Sequence, residues 1–76
     1  MLTATVIIDT KPGAAAEVAK EIQVCPDVEV QSYHNDRIAI TWRGRTTQDL
    51  IDLSDRLRTA YPEIDRIEPT AFESDL

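Results

Sequence analysis

Arg37-Ile38-Ala39-Ile40-Thr41-Trp42-Arg43 alternates without a break, with Ile38, Ile40 and Trp42 on one side and Arg37, Ala39, Thr41 and Arg43 on the other. A period of two carried by β-branched and aromatic residues is the pattern of a strand with one face buried. Just upstream, Val28 to Tyr33 alternates in the same way and sets Val28, Val30 and Ser32 against Glu29, Gln31 and Tyr33. Between the two runs, His34-Asn35-Asp36 is polar and lacks glycine, and Asn35 or Asp36 supplies the left-handed turn position. The pair reads as a β-hairpin.

The flanks are organised symmetrically around that hairpin. Leu2 to Asp9 predicts a first strand, with Leu2, Ala4, Val6 and Ile8 on one side and Thr3, Thr5, Ile7 and Asp9 on the other. Lys11-Pro12-Gly13 breaks it, and Pro12 suits the first turn of a helix, where a missing N–H costs nothing. From Ala14 to Val24 the spacing becomes helical, with Ala15, Val18, Ala19 and Ile22 on one stripe, and Cys25-Pro26-Asp27 ends it. After the hairpin comes the loop Arg43-Gly44-Arg45, followed by Thr46 three residues before Asp49, a helix capping box. Leu50, Leu53, Leu57 and Tyr61 mark the second helical stripe, with Ile51 beside it, and Tyr61-Pro62 stops it.

Ile64 to Glu73 predicts the last strand, with Ile67 and Ala71 inward, Phe72 outward, and a frayed tail over Glu73-Ser74-Asp75-Leu76. Pro69 cannot donate to a ladder and places this strand at a sheet edge. The order βαββαβ with right-handed crossovers gives an α+β, ferredoxin-like fold: a four-stranded antiparallel sheet with both helices on one face. Residues 1–76 make a single domain of this kind, since the chain shows no linker, repeat or low-complexity segment.

Composition narrows the function classes. With 42% apolar and 29% charged residues, the chain has the make-up of a folded soluble protein. It carries no apolar run of membrane-spanning length and no secretion signal, which predicts a cytoplasmic protein. Fourteen acidic against eight basic side chains give a net charge of −6. That charge repels nucleic-acid phosphates and anionic lipid, and favours a partner with basic segments. One cysteine, Cys25, excludes an internal disulfide and reads as core filler at the end of an apolar helix face. The single histidine, His34, has no companions for a metal site or a catalytic triad and reads as a solvated turn residue. No catalytic, cofactor-binding or metal-ligating residue is assigned, and the expected function is non-enzymatic. The arginines of the second half, interleaved with Asp49, Asp52, Asp55, Glu63 and Asp65, are expected to be neutralised locally, as in an Asp52–Arg56 pair.

The sheet face without helices is the expected working surface. Among threonines and other polar groups, the alternation puts Ile7, Tyr33 and Phe72 there, with Glu29 and Glu68 beside them. Large apolar groups on an otherwise polar face mark a contact surface. Ile7, Glu29, Tyr33, Glu68 and Phe72 are therefore the candidate partner-binding residues, suited to a protein or peptide with basic and apolar segments. The same apolar trio leaves a homodimer open.

Two families are similar to this chain. The stretch Val6-Ile-Ile-Asp-Thr-Lys-Pro-Gly13, with Pro26-Asp-Val-Glu-Val30 and Arg37-Ile-Ala-Ile-Thr41, resembles the NapD-type chaperones of periplasmic nitrate reductase. That resemblance implies binding of a twin-arginine signal peptide on a molybdoenzyme precursor while its cofactor is inserted. Val6 to Gly13, with Glu17-Val18 and Pro26-Asp27-Val28, also resembles the effector-sensing domain of Lrp/AsnC regulators, which occurs as a stand-alone effector-binding and oligomerisation domain. A third reading, from charge alone, is an acidic inhibitor or adaptor of a basic nucleic-acid-binding protein.

Overall fold

The structure, a computed structural model, describes residues 1–74. The elements run β1 (Leu2–Thr10), α1 (Ala15–Ile22), β2 (Val28–His34), β3 (Arg37–Gly44), α2 (Thr47–Ala60) and β4 (Ile64–Ser74). The strands form one antiparallel sheet in the order β2-β3-β1-β4, the ferredoxin-like arrangement that the element order predicts. β4 is an edge strand, as Pro69 requires.

Both helices cover one face, α1 over β2 and β3, α2 over β3 and β4. Alternation fills the core from the sheet side with Ala4, Val6, Ile8, Ile38, Ile40 and Trp42, all buried. The helical stripes fill it from the other side, Ala15, Val18, Ala19 and Ile22 from α1 and Leu50, Leu53 and Leu57 from α2. The capping box forms in full: Thr46 Oγ1 accepts from the Asp49 N–H at 3.2 Å, and the Asp49 carboxylate accepts from the Thr46 N–H at 3.2 Å. Cys25 is half-buried and packs against this core.

Three local expectations need correction. Pro12 does not open α1; the helix starts at Ala15, after Gly13 takes φ +83°. That left-handed residue, which glycine adopts at no steric cost, turns the chain onto the β2–β3 turn before the helix begins. At its other end α1 stops at Ile22, leaving Val24 exposed. The tail is not frayed over Glu73 and Ser74, which pair with Thr3 and Leu2, and Asp75 and Leu76 lie outside the described residues.

Asn35 ties the two loops together. It is the only described non-glycine residue with positive φ, 45°, as the turn requires. Its backbone carbonyl accepts from the N–H groups of Gly13 and Ala15 at 3.0 and 3.2 Å, and its side-chain oxygen also accepts from Gly13 at 3.0 Å. Replacing Asn35 with alanine removes the side-chain acceptor and leaves a Cβ residue without local hydrogen bonding in the left-handed region. The expected cost is about 1–2 kcal/mol, read as a lower urea midpoint, with Asn35→Gly costing less. Equal midpoints for Asn35→Ala and the parent would show that the loop clamp carries no energy.

Candidate functional site

The register decides which side chains share the helix-free face, because directly paired residues of antiparallel strands point the same way. β1 and β3 pair without interruption, placing Thr3, Thr5, Ile7 and Asp9 opposite Arg43, Thr41, Ala39 and Arg37 on that face. Both outer strands carry extra residues. In β2 the pairing passes from Val30↔Ile40 to Ser32↔Ala39, leaving Gln31 as a bulge. In β4 it passes from Thr5↔Ala71 to Val6↔Pro69, leaving Thr70 as a bulge, and a second irregularity omits Asp65.

Each extra residue inverts the alternation beyond it. Tyr33 pairs with Ile38, and Phe72 pairs with Ala4, so both belong to the helix side. The surroundings agree: Tyr33 lines a groove with Ala16 and Ala19 of α1 and with Gln23 just beyond it, and Phe72 lines one with Leu50, Ile51 and Ser54 of α2. Of the predicted partner-binding residues, Ile7, Glu29 and Glu68 therefore lie on the helix-free face. Tyr33 and Phe72 do not, and they are separated at opposite edges of the sheet. Ala71, expected inward, faces away from the helices opposite Thr5, and Ser32 joins it on that face opposite Ala39.

What this leaves on the helix-free face is a band of small or uncharged side chains across β3 and β1 that reaches Ser32 on β2 and Ala71 on β4. Ser32, Ala39 and Ile7 form one row, which Glu68 closes on β4, and Thr41, Thr5 and Ala71 form the next, which Glu29 closes on β2. Gln31, the bulge residue, donates from Nε2 to Thr41 Oγ1 at 3.1 Å, and Thr70 Oγ1 donates to the Thr5 carbonyl at 3.3 Å. Charged groups close both ends. At one end Asp9 bridges Arg37 at 3.0 Å and Arg66 at 3.9 Å, and Arg66 also pairs with Glu68. At the other, Arg43 meets Glu29 at 3.5 Å, and Glu73 lies opposite Thr3. Hydrogen bonding to Glu68 and its charge, with a smaller contribution from Asp9, raise the already high pKa of Arg66. The guanidinium groups of this face are thus each engaged by a carboxylate of the same face.

His34 ends β2 as an exposed strand residue opposite Arg37, rather than lying in the turn. The expected Asp52–Arg56 pair is absent, because Asp52 accepts from the Gln48 side chain one turn earlier at 3.0 Å. An exposed helical ion pair contributes too little to displace that bond. Among the described residues, no three His, Cys, Asp or Glu side chains are grouped as metal ligands, and no helix is long and apolar enough to cross a membrane. Comparison with known proteins finds no family model, no curated protein and no solved structure that matches the chain.

Proposed function

We propose that this chain is a non-enzymatic, cytoplasmic peptide-binding protein that holds a basic and apolar segment on its helix-free sheet face. The carrying observation is the band of Ser32, Ala39, Ile7, Thr41, Thr5 and Ala71 between charged ends. Small side chains leave a shallow seat in which an apolar stretch, extended or helical, loses water between Glu68 and Glu29. Carboxylates outnumber guanidinium groups on the face, Asp9, Glu29, Glu68 and Glu73 against Arg37, Arg43 and Arg66, within a chain of net charge −6. Basic residues flanking the apolar stretch then meet complementary charge, which speeds encounter and fixes orientation.

A twin-arginine signal peptide has this make-up of paired arginines before an apolar run. The maturation-chaperone reading follows from that match, together with the resemblance carried by Val6 to Gly13, Pro26 to Val30 and Arg37 to Thr41. The test is a titration of the isotope-labelled chain with a synthetic peptide of paired arginines followed by apolar residues. Amide shifts are expected on Thr5, Ile7, Ala39, Thr41 and Ala71, and affinity is expected to fall as salt rises. Ala39→Arg, which sets a charged side chain across the band, should weaken binding by about tenfold or more. Shifts confined to α1 and α2, or an affinity that Ala39→Arg leaves unchanged, would overturn the assignment of this face.

A further inference from the structure

The helix side carries a second surface that peptide binding on the opposite face leaves unused. Between α2 and the outer strand β4 runs a groove of about 350 Å³ whose apolar lining includes Ile51, Ile67, Pro69 and Phe72. Ile51 and Phe72 stand 51% and 50% exposed on its walls, although both are large apolar side chains. A contiguous patch of this kind on a small chain marks a contact surface. The groove also carries one carboxylate and one guanidinium, Asp55 and Arg58, three residues apart on α2 and thus neighbours on its surface. Neither side chain takes part in an ion pair among the described residues.

We infer that this groove is where a second copy of the chain docks, through a two-fold interface. The charge pattern selects the occupant. At the groove itself a purely basic segment would meet Arg58 and a purely acidic one would meet Asp55. A patch with one charge of each sign is complementary to itself: two-fold rotation can set Asp55 of each copy against Arg58 of the other while Ile51 and Phe72 are covered. A domain of 76 residues also leaves much apolar surface unburied on its own, and such an interface removes part of it from water. In the dimer both helix-free faces stay open, so the inference stands or falls separately from peptide binding.

The experiment is sedimentation equilibrium of the full chain at about 0.15 M salt, where a Debye length of about 8 Å damps the repulsion between like-charged copies. Loading extends to about 1 mM, so that a dissociation constant of ~1 mM remains visible. The parent is expected to form a dimer. Ile51→Asp and Asp55→Arg should each weaken it by about tenfold or more, and the exchange Asp55→Arg with Arg58→Asp should restore it. Both sites are exposed, so circular dichroism melts should match the parent. If Ile51→Asp fails to fold, the charge series decides alone. A monomer over the whole range, an assembly larger than a dimer, a dimer indifferent to Ile51→Asp in a folded chain, or an exchange that restores nothing would overturn the inference.

Discussion

Gly44→Val should lower the melting temperature by roughly 12–24 °C, the equivalent of about 3 kcal/mol in a domain of this size. A Cβ at Gly44 would lie 2.1 Å from Cζ2 of Trp42 and 2.5 Å from Cη2, far inside van der Waals contact. The indole cannot swing aside cheaply, because Trp42 is fully buried among Ile, Val and Leu side chains of the sheet and helices. Gly44 is thus needed for space rather than for backbone freedom, and Gly44→Ala should already show most of the effect. The sole tryptophan reports on its own displacement, so fluorescence-detected urea unfolding measures both the stability and the altered native environment. An unchanged midpoint for Gly44→Ala would mean that the indole has room to move.

Leu53→Ala should cost about 2–5 kcal/mol, against a total stability of about 4–11 kcal/mol for 76 residues. The helix α2 is 14 residues long, yet it reaches the core through only three buried side chains, Leu50, Leu53 and Leu57. Removing the middle one leaves a cavity flanked by the other two, and the short core offers little that can collapse into it. Ile51→Ala on the same helix is the control. Its side chain is 51% exposed where that of Leu53 is 6%, so its loss should cost the monomer well under half as much. Paired chemical unfolding curves decide the matter, and equal losses for Leu53 and Ile51 would show that the core does not extend beneath α2 as described.

The elements, their order and the core were legible in the sequence because each is announced by neighbours. Ile38, Ile40 and Trp42 alternate within seven residues, and Thr46 and Asp49 cap α2 across a single turn. Asn35 was one of two residues named for the left-handed position it occupies. The candidate site was legible only in the two central strands. Ile7, Ala39 and Thr41 fall where alternation puts them, whereas Tyr33 and Phe72 do not. A bulge is set by pairing with another strand, and nothing adjacent to Gln31 or Thr70 in the chain requires it. There was nonetheless a signal. Strict alternation sent Ser32 and Ala71 inward while sending Tyr33 and Phe72 into water. In both outer strands, a small residue taking the core side from an aromatic neighbour is the mark of a phase slip.

The irregularities of the sheet share a further property. β1 and β3, each flanked on both sides, run in unbroken register with one another, and every extra residue lies in β2 or β4. Those two strands present unpaired backbone groups to the outside, and a long flat edge of that kind would template the addition of strands from other molecules. Gln31 interrupts one edge; Asp65, Pro69 and Thr70 interrupt the other. An incoming strand therefore finds no uninterrupted row of donors and acceptors to copy on either side. The same bulges that turn Tyr33 and Phe72 toward the helices thus also blunt both edges against the addition of a further strand.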